Sequence, residues 1–251
     1  MTEIILNGCN GKMGNAVINC VDAYDDCKIV AGVDINTKVN HNFPVFDNIN
    51  KVDKADVIID FSHPSCLSSI LEYAVSTKTP VVIATTGLSV ADVENIKAAS
   101  KVVPIFFTFN MSLGVNLLVE LAKTAQKVLG KGFDIEIVEK HHNQKIDAPS
   151  GTAIMLADAL NEAADGRYTY EYNRQAKREK RKENEIGIHS VRGGNIVGDH
   201  DVILAGTDEV ITISHSAYSK NVFATGSVNA AVFLKGKTPG LYNMSDLVSS
   251  K

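Results

Sequence analysis

Glu3-Ile-Ile-Leu6, Asn7-Gly-Cys-Asn-Gly-Lys-Met-Gly14 and Ala16-Val-Ile-Asn-Cys-Val21 decide the fold of this 251-residue chain. A short apolar run, a glycine-rich turn and a segment of helical character follow without interruption. That is the order of the first unit of a dinucleotide-binding fold. Gly8, Gly11 and Gly14 follow G-x-x-G-x-x-G where G-x-G-x-x-G is usual. The physical demand is the same: a tight turn, close approach of backbone to a pyrophosphate, and a helix N-terminus to stabilise its charge. A plain strand–helix turn would use the same residues, so the next strand matters. Lys28-Ile-Val-Ala-Gly-Val33 is apolar and ends on Asp34, 20 residues after Gly14. A carboxylate there is placed for the adenosine ribose hydroxyls, and its charge opposes a 2′-phosphate. This favours NADH over NADPH, with Lys12 and Lys38 near enough in sequence to soften the repulsion.

Further α/β units follow. Asp56 to Phe61, Pro80 to Ala84 and Val102 to Phe106 read as strands, and Pro64 to Thr77 and Ser89 to Ser100 as helices. The alternation implies a doubly wound parallel sheet, whose ligands bind beyond the strand C-terminal ends. Asp34, Phe61–His63, Ala84–Thr86 and Thr108–Met111 are therefore expected around one cleft. His63 is either a cofactor contact or a helix cap.

From Ser112 the organisation changes. Leu113 to Leu129 reads as a long helix stopped by Gly130-Lys-Gly132, and Phe133 to Val138 as a half-buried strand. Ile186–Val191, Ile196-Val197, Asp201–Ala205 and Glu209–Ser214 are strand-like without long helices between them. A mixed or antiparallel sheet is expected, with edges that self-association would cover. The basic run Lys177-Arg-Glu-Lys-Arg-Lys182 reads as a solvated loop. A last helix from about Lys220 to Lys235 crosses back to the first domain.

Between strand and helix lies Lys140-His-His-Asn-Gln-Lys-Ile-Asp-Ala-Pro-Ser-Gly-Thr152. His141, His142 and Lys145 can move protons or bind anions. Ser150, Gly151 and Thr152 open the helix Ala153 to Leu160, whose first N–H groups form a receptacle for a carboxylate or phosphate. Composition narrows the classes. A net charge of −4 gives no electrostatic reason for a nucleic-acid or anionic-membrane partner, and no apolar run approaches a membrane span. The four cysteines show no metal-ligand or redox spacing, so no metal is expected. The N-terminal Met-Thr-Glu-Ile-Ile-Leu enters a strand pattern at once, and a cytoplasmic protein with reduced thiols is expected.

These residues carry a resemblance. Glu139 to Ala153 (EKHHNQKIDAPSGTA), with Gly8–Gly14, Asp60-Phe-Ser-His-Pro64, Thr85-Thr-Gly87, Asn110–Asn116 and Arg192–His200, closely resembles the dihydrodipicolinate reductases of the diaminopimelate and lysine pathway. The resemblance spans essentially the whole chain. It implies a Rossmann-like domain of residues 1–112 and 219–251, completed by the C-terminal helix. It also implies a smaller α+β domain of residues 113–218 that binds substrate and assembles a homotetramer. The implied reaction is NAD(P)H-dependent hydride transfer to C4 of a cyclic unsaturated imine dicarboxylate, followed by protonation of the neighbouring ring carbon. By motif position, His141 is the proton donor or acceptor and Lys145 the second proton-donating group. His142, Gly151 and Thr152 bind the substrate. Gly8, Cys9, Asn10, Gly11, Lys12, Met13, Asp34, Ala84, Thr85, Thr86, Thr108, Phe109, Asn110 and Met111 contact NADH or NADPH.

Departures are few: Ala84 replaces a frequent glycine, Lys12 a common arginine, and no arginine follows Asp34. Two other readings compete. A dehydrogenase of an amino acid or semialdehyde explains the glycines and Asp34 but not His141-His142…Lys145…Ser150-Gly151-Thr152. A non-catalytic nucleotide sensor needs neither His141 nor Lys145. Adjacent residues of an extended strand face opposite ways, so His141 and His142 share a site only if the strand ends between them.

Overall fold

The computed structural model describes residues 1–108 and 110–250. Its first elements are β1 (Thr2–Asn7), α1 (Lys12–Val21), β2 (Cys27–Val33), β3 (Val45–Phe46), β4 (Val57–Asp60), α2 (Leu67–Thr77), β5 (Val81–Ile83), α3 (Val90–Ser100) and β6 (Pro104–Phe107). There follow α4 (Leu113–Leu129), β7 (Asp134–His141), α5 (Gly151–Glu162), β8 (Thr169–Glu171), β9 (Glu185–Arg192), β10 (Gly198–Ala205) and β11 (Val210–Ala217). The chain ends with α6 (Asn221–Leu234), β12 (Gly240–Tyr242) and α7 (Met244–Ser249). Two compact units result: Met1–Leu113 with Lys220–Lys251, and Gly114–Ser219.

The first unit is the expected doubly wound sheet, in the order β12-β6-β5-β4-β1-β2-β3 with every pairing parallel. Its central strands are apolar throughout because both faces are covered. Ile4 and Leu6 face a core shared with Val17 of α1 and Val228 of α6. Ile5 faces the opposite core with Ile70 of α2 and Ile96 of α3. Helix α6 therefore belongs to this unit by burial. The order reverses between β1 and β4, the place where such sheets leave a crevice at the strand C-terminal ends. The short β3, β12 and α7 have too few residues to show a period.

The second unit is the expected mixed sheet, in the order β11-β10-β7-β9-β8. Strand β10 is antiparallel to β7 and β11, whereas β9 is parallel to β7 and β8. Ile135 and Ile137 of β7 pack with Leu118 and Ala122 of α4 and with Leu156 and Leu160 of α5. Strand β7 runs three residues beyond the reading that stopped at Val138. Glu139 and His141 continue the inward parity of Ile135 and Ile137 but are polar, so hydrophobic alternation cannot reveal them. The same holds for β10, which starts at Gly198 with His200 buried; Ile196 and Val197 lie in the irregular stretch before it and not in a strand. The basic run is also more than a solvated loop. Arg181 bonds Glu136 (3.0 Å), Asp134 (2.6 Å) and the carbonyls of Ile135 and Glu185, pinning the segment to the N-terminal ends of β7 and β9.

Candidate active site

The crevice end of the first unit is built around the turn after β1. Gly8 has φ +79°, and a Cβ there would stand 2.5 Å from the Phe61 carbonyl oxygen. A Cβ on Gly14 would stand 2.2 Å from the Gly8 carbonyl oxygen. Both positions therefore require glycine, and backbone lies bare at the mouth of α1. Gly11 occupies the N-cap of that helix and offers no side-chain cap, leaving the first-turn donors to an anion. Asp34 accepts from Asn10 N–H (3.0 Å) and Asn36 N–H (3.0 Å), using about half of a carboxylate's acceptor capacity. Turn, bare helix mouth and a carboxylate with lone pairs to spare fit a dinucleotide.

Asp60, at the end of β4 and fully buried, knits the crevice together. It accepts from Asn7 Nδ2 (2.8 Å), Ser62 Oγ (2.6 Å), Ser62 N–H (3.1 Å) and Thr85 Oγ1 (2.7 Å). Burial pushes its carboxyl above the usual carboxylate range, opposed by those four donors. Thr85 is thus occupied with the carboxylate. His63 accepts from Ser65 N–H (3.2 Å) and caps the turn that leads into α2, so its helix-cap reading holds. Cys9 is buried, and desolvation followed by the Asp34 charge pushes its thiol up to about 11; only its backbone is left for a ligand. The Met111 side chain is likewise buried in the core. Lys12 is exposed at the first position of α1, beside Met13. Ala84 and Thr86 flank Thr85 just past β5. Thr108 and Asn110 follow β6, and Phe109 lies outside the described residues.

In the second unit, His141 is the last residue of β7, its side chain about nine-tenths buried. Its Nδ1 stands 2.5 Å from Glu139 Oε2. Glu139 also accepts both guanidinium nitrogens of Arg192, at 2.7 and 2.8 Å, and the Ser150 N–H at 3.1 Å. Burial would raise the Glu139 carboxyl, but hydrogen bonds from Arg192, Ser190 and His141 outweigh it and bring it down to about 2. The His141 ring meets that of His200 edge to face, with centroids 5.2 Å apart. His200 Nε2 pairs with Ser150 Oγ at 3.1 Å. Burial first, and the His141 charge second, hold His200 down at about 4.

The loop after β7 carries the other expected residues. The strand does end at His141, so His142 is free of strand alternation; its carbonyl accepts Lys145 N–H at 3.1 Å. Lys145 Nζ pairs with Asp147 at 2.8 Å. Arg192 reaches the Asp147 carbonyl at 2.6 Å and so ties the Lys145 loop to the carboxylate that holds His141. Ser150 caps α5, accepting Ala153 N–H at 3.2 Å. Gly151 and Thr152 form the first turn, and the space beside Gly151 is open for 4 Å. His141, His142, Lys145 and the helix mouth thus belong to one segment, strapped by Arg192. Sequence reading assigned no role to Glu139, Arg192 or His200. The available signal was parity, which places 139 on the same strand face as 141.

Family models for the N-terminus and C-terminus of dihydrodipicolinate reductase match residues 2–111 and 114–248. The chain belongs to the dihydrodipicolinate reductase family. It is 55% identical to the 4-hydroxy-tetrahydrodipicolinate reductase of Caldanaerobacter subterraneus over 99% of this chain and 98% of that one. It is 49% identical to that of Clostridium tetani over 100% of this chain and 98% of that one. Among solved structures, a dipicolinate-bound dihydrodipicolinate reductase from Paenisporosarcina superposes with a TM-score of 0.81 at 24% identity, covering 97% of each chain. An NAD complex of GenD2 from gentamicin A biosynthesis shares the fold at TM-score 0.61 and 12% identity, over 99% of this chain and 90% of that one. The protein is an oxidoreductase with a Rossmann-type domain that uses NAD(P)H. No described helix is long and apolar enough to cross a membrane.

Proposed function

We propose that the protein reduces 4-hydroxy-tetrahydrodipicolinate, or its dehydrated form, to tetrahydrodipicolinate, with NADH preferred. The reaction serves diaminopimelate and lysine biosynthesis. The observation that carries this reading is a histidine fixed on a buried carboxylate at a strand end, in one strapped segment with a lysine and a helix N-terminus.

Gly8 to Met13 and Asp34 hold the cofactor, with Ala84–Thr86 and Thr108–Met111 completing its contacts. Reduced nicotinamide, when bound, supplies the hydride. The family relatives' substrate carries two carboxylates. His142, Lys145 and the Gly151–Thr152 backbone suit such a dianion, because a helix mouth and cations meet carboxylates with charge-assisted hydrogen bonds. Lys145 would exchange Asp147 for a substrate carboxylate, since both partners offer the same acceptor and Asp147 is solvent-exposed. His141 delivers the proton to ring carbon, with Lys145 as the second proton donor. We further infer a homotetramer, supported by β11, an edge strand that among the described strands pairs with β10 alone.

Replacing both His141 and Lys145 by alanine tests the assignment. Turnover should be lost while NADH affinity, followed by cofactor fluorescence, stays within about twofold, because neither residue lies in the dinucleotide-binding unit. Undiminished turnover would reject these roles.

A further inference from the structure

The buried carboxylate behind His141 has a consequence beyond holding the fold. Glu139 and His141 share a strand face two residues apart. Glu139 cannot rotate away, since Arg192 grips both oxygens and Ser150 N–H a third lone pair. An ionised carboxylate only accepts, so the nitrogen facing it must carry a proton. His141 Nε2 makes no hydrogen bond among the described residues and is not sealed from solvent. A Cβ at Gly198 would stand 3.1 Å from Nε2 and 3.4 Å from Cδ2. The glycine therefore keeps open the space beside that nitrogen, while His200 fixes the ring from its edge.

We propose that Glu139 is a positioning residue that holds His141 with Nδ1 protonated, leaving Nε2, in the gap at Gly198, as the atom that exchanges the proton. This rests on the proposed reductase reaction. In the forward direction the N–H bond at Nε2 breaks and its electron pair stays on the ring. The proton joins the substrate carbon, and the imidazolium becomes neutral imidazole with Nδ1–H still on Glu139. A proton from water restores the imidazolium. The charged and titratable groups around the ring are Glu139 from β7, which contacts it, Arg192 from β9, which bonds Glu139, and His200 from β10, which meets it edge to face. Of these, Glu139 is the anion in contact with it.

The test compares Glu139→Gln, Gly198→Ala and His141→Ala in the full chain. Glu139→Gln should lower kcat on the order of 10²-fold, the scale of general acid–base contributions, with the substrate KM changed far less. Gly198→Ala, at a position without positive φ, should unfold at the wild-type temperature and bind NADH normally yet lose kcat. Nitrogen-15 spectra should show the Nδ1–H tautomer in the wild type and its loss in Glu139→Gln. Were Glu139→Gln to fail to fold, Gly198→Ala and the wild-type spectrum still decide. If His141→Ala abolishes turnover but Gly198→Ala is fully active, or the neutral imidazole of the wild type carries its proton on Nε2, the positioning proposal is overturned and the reductase mechanism stands. If His141→Ala is itself active, both fall.

Discussion

Arg192 and Glu139 form a two-pronged ion pair across neighbouring strands, Nη2–Oε1 at 2.7 Å and Nη1–Oε2 at 2.8 Å, with the carboxylate wholly shielded from solvent. Strands β7 and β9 are parallel, and their register pairs His141 directly with Arg192. The pair therefore sits where the sheet ends and the segment from His141 to Thr152 begins.

Removing one partner should be far worse than weakening the other. Arg192→Met strands a buried carboxylate, a loss of about 3–5 kcal/mol in similar cases. It also frees the Asp147 carbonyl. We expect a lowered midpoint in urea denaturation together with loss of turnover. Because the folded-state carboxyl is depressed to about 2, the stability it contributes is present above about pH 4.5, its ordinary value, and disappears as pH falls toward 2.

His200 carries an opposite charge rule with the same slope. Its ordinary value of 6.5 falls to about 4 through burial, so the unfolded chain takes up a proton that the folded state refuses. Stability should decline as pH drops from 6.5 to 4 and be insensitive to this group above 6.5. His200→Gln, which keeps a polar partner for Ser150, should flatten that decline in thermal denaturation measured at a series of pH values.

Two glycines should separate cofactor from substrate. Gly14→Ala drives a methyl to 2.2 Å from the Gly8 carbonyl oxygen, so the turn must open. NADH affinity should fall by about tenfold or more, a cost of at least ~1.4 kcal/mol. Gly151→Ala meets nothing within 4 Å. It should fold and bind NADH normally, and raise the substrate KM if the helix mouth receives a carboxylate. Titration of cofactor fluorescence and steady-state kinetics measure the two effects.

We expect Asp34 to set the cofactor preference. Asp34→Asn removes the charge and keeps one carbonyl oxygen, so only one of the Asn10 and Asn36 N–H groups, which bond different carboxylate oxygens, retains its acceptor. The ratio of kcat/KM for NADH over NADPH should fall by about tenfold, the value of one ~1.4 kcal/mol charge interaction. An unchanged ratio would assign the preference elsewhere.

Much of the architecture was legible because it rests on residue type alone. The apolar runs ending at Asn7, Val33, Asp60 and Ile83 announce a parallel sheet buried on both faces, and Ser89 and Ser150 announce their helices. His141 and Lys145 stood out because proton-moving side chains concentrate beside a helix start. What stayed hidden was polar and inward. Glu139 reads as a solvent-facing acid until Arg192, 53 residues later, is known to meet it. His200 looks like a loop residue because the strand that buries it opens with Gly198 and two acidic positions. Asp60 terminates an apolar run, and nothing local says that Asn7, Ser62 and Thr85 will converge on it. Such pairings depend on strand order and register, which local periodicity does not contain.

The most direct measurement generates substrate in situ from pyruvate and aspartate semialdehyde with the pathway's synthase and follows loss of reduced-nicotinamide absorbance, with NADH and NADPH in parallel. We expect oxidation that depends on the synthase and is faster with NADH. Folded protein that binds NADH yet oxidises neither cofactor in the presence of fresh substrate would contradict the reductase function.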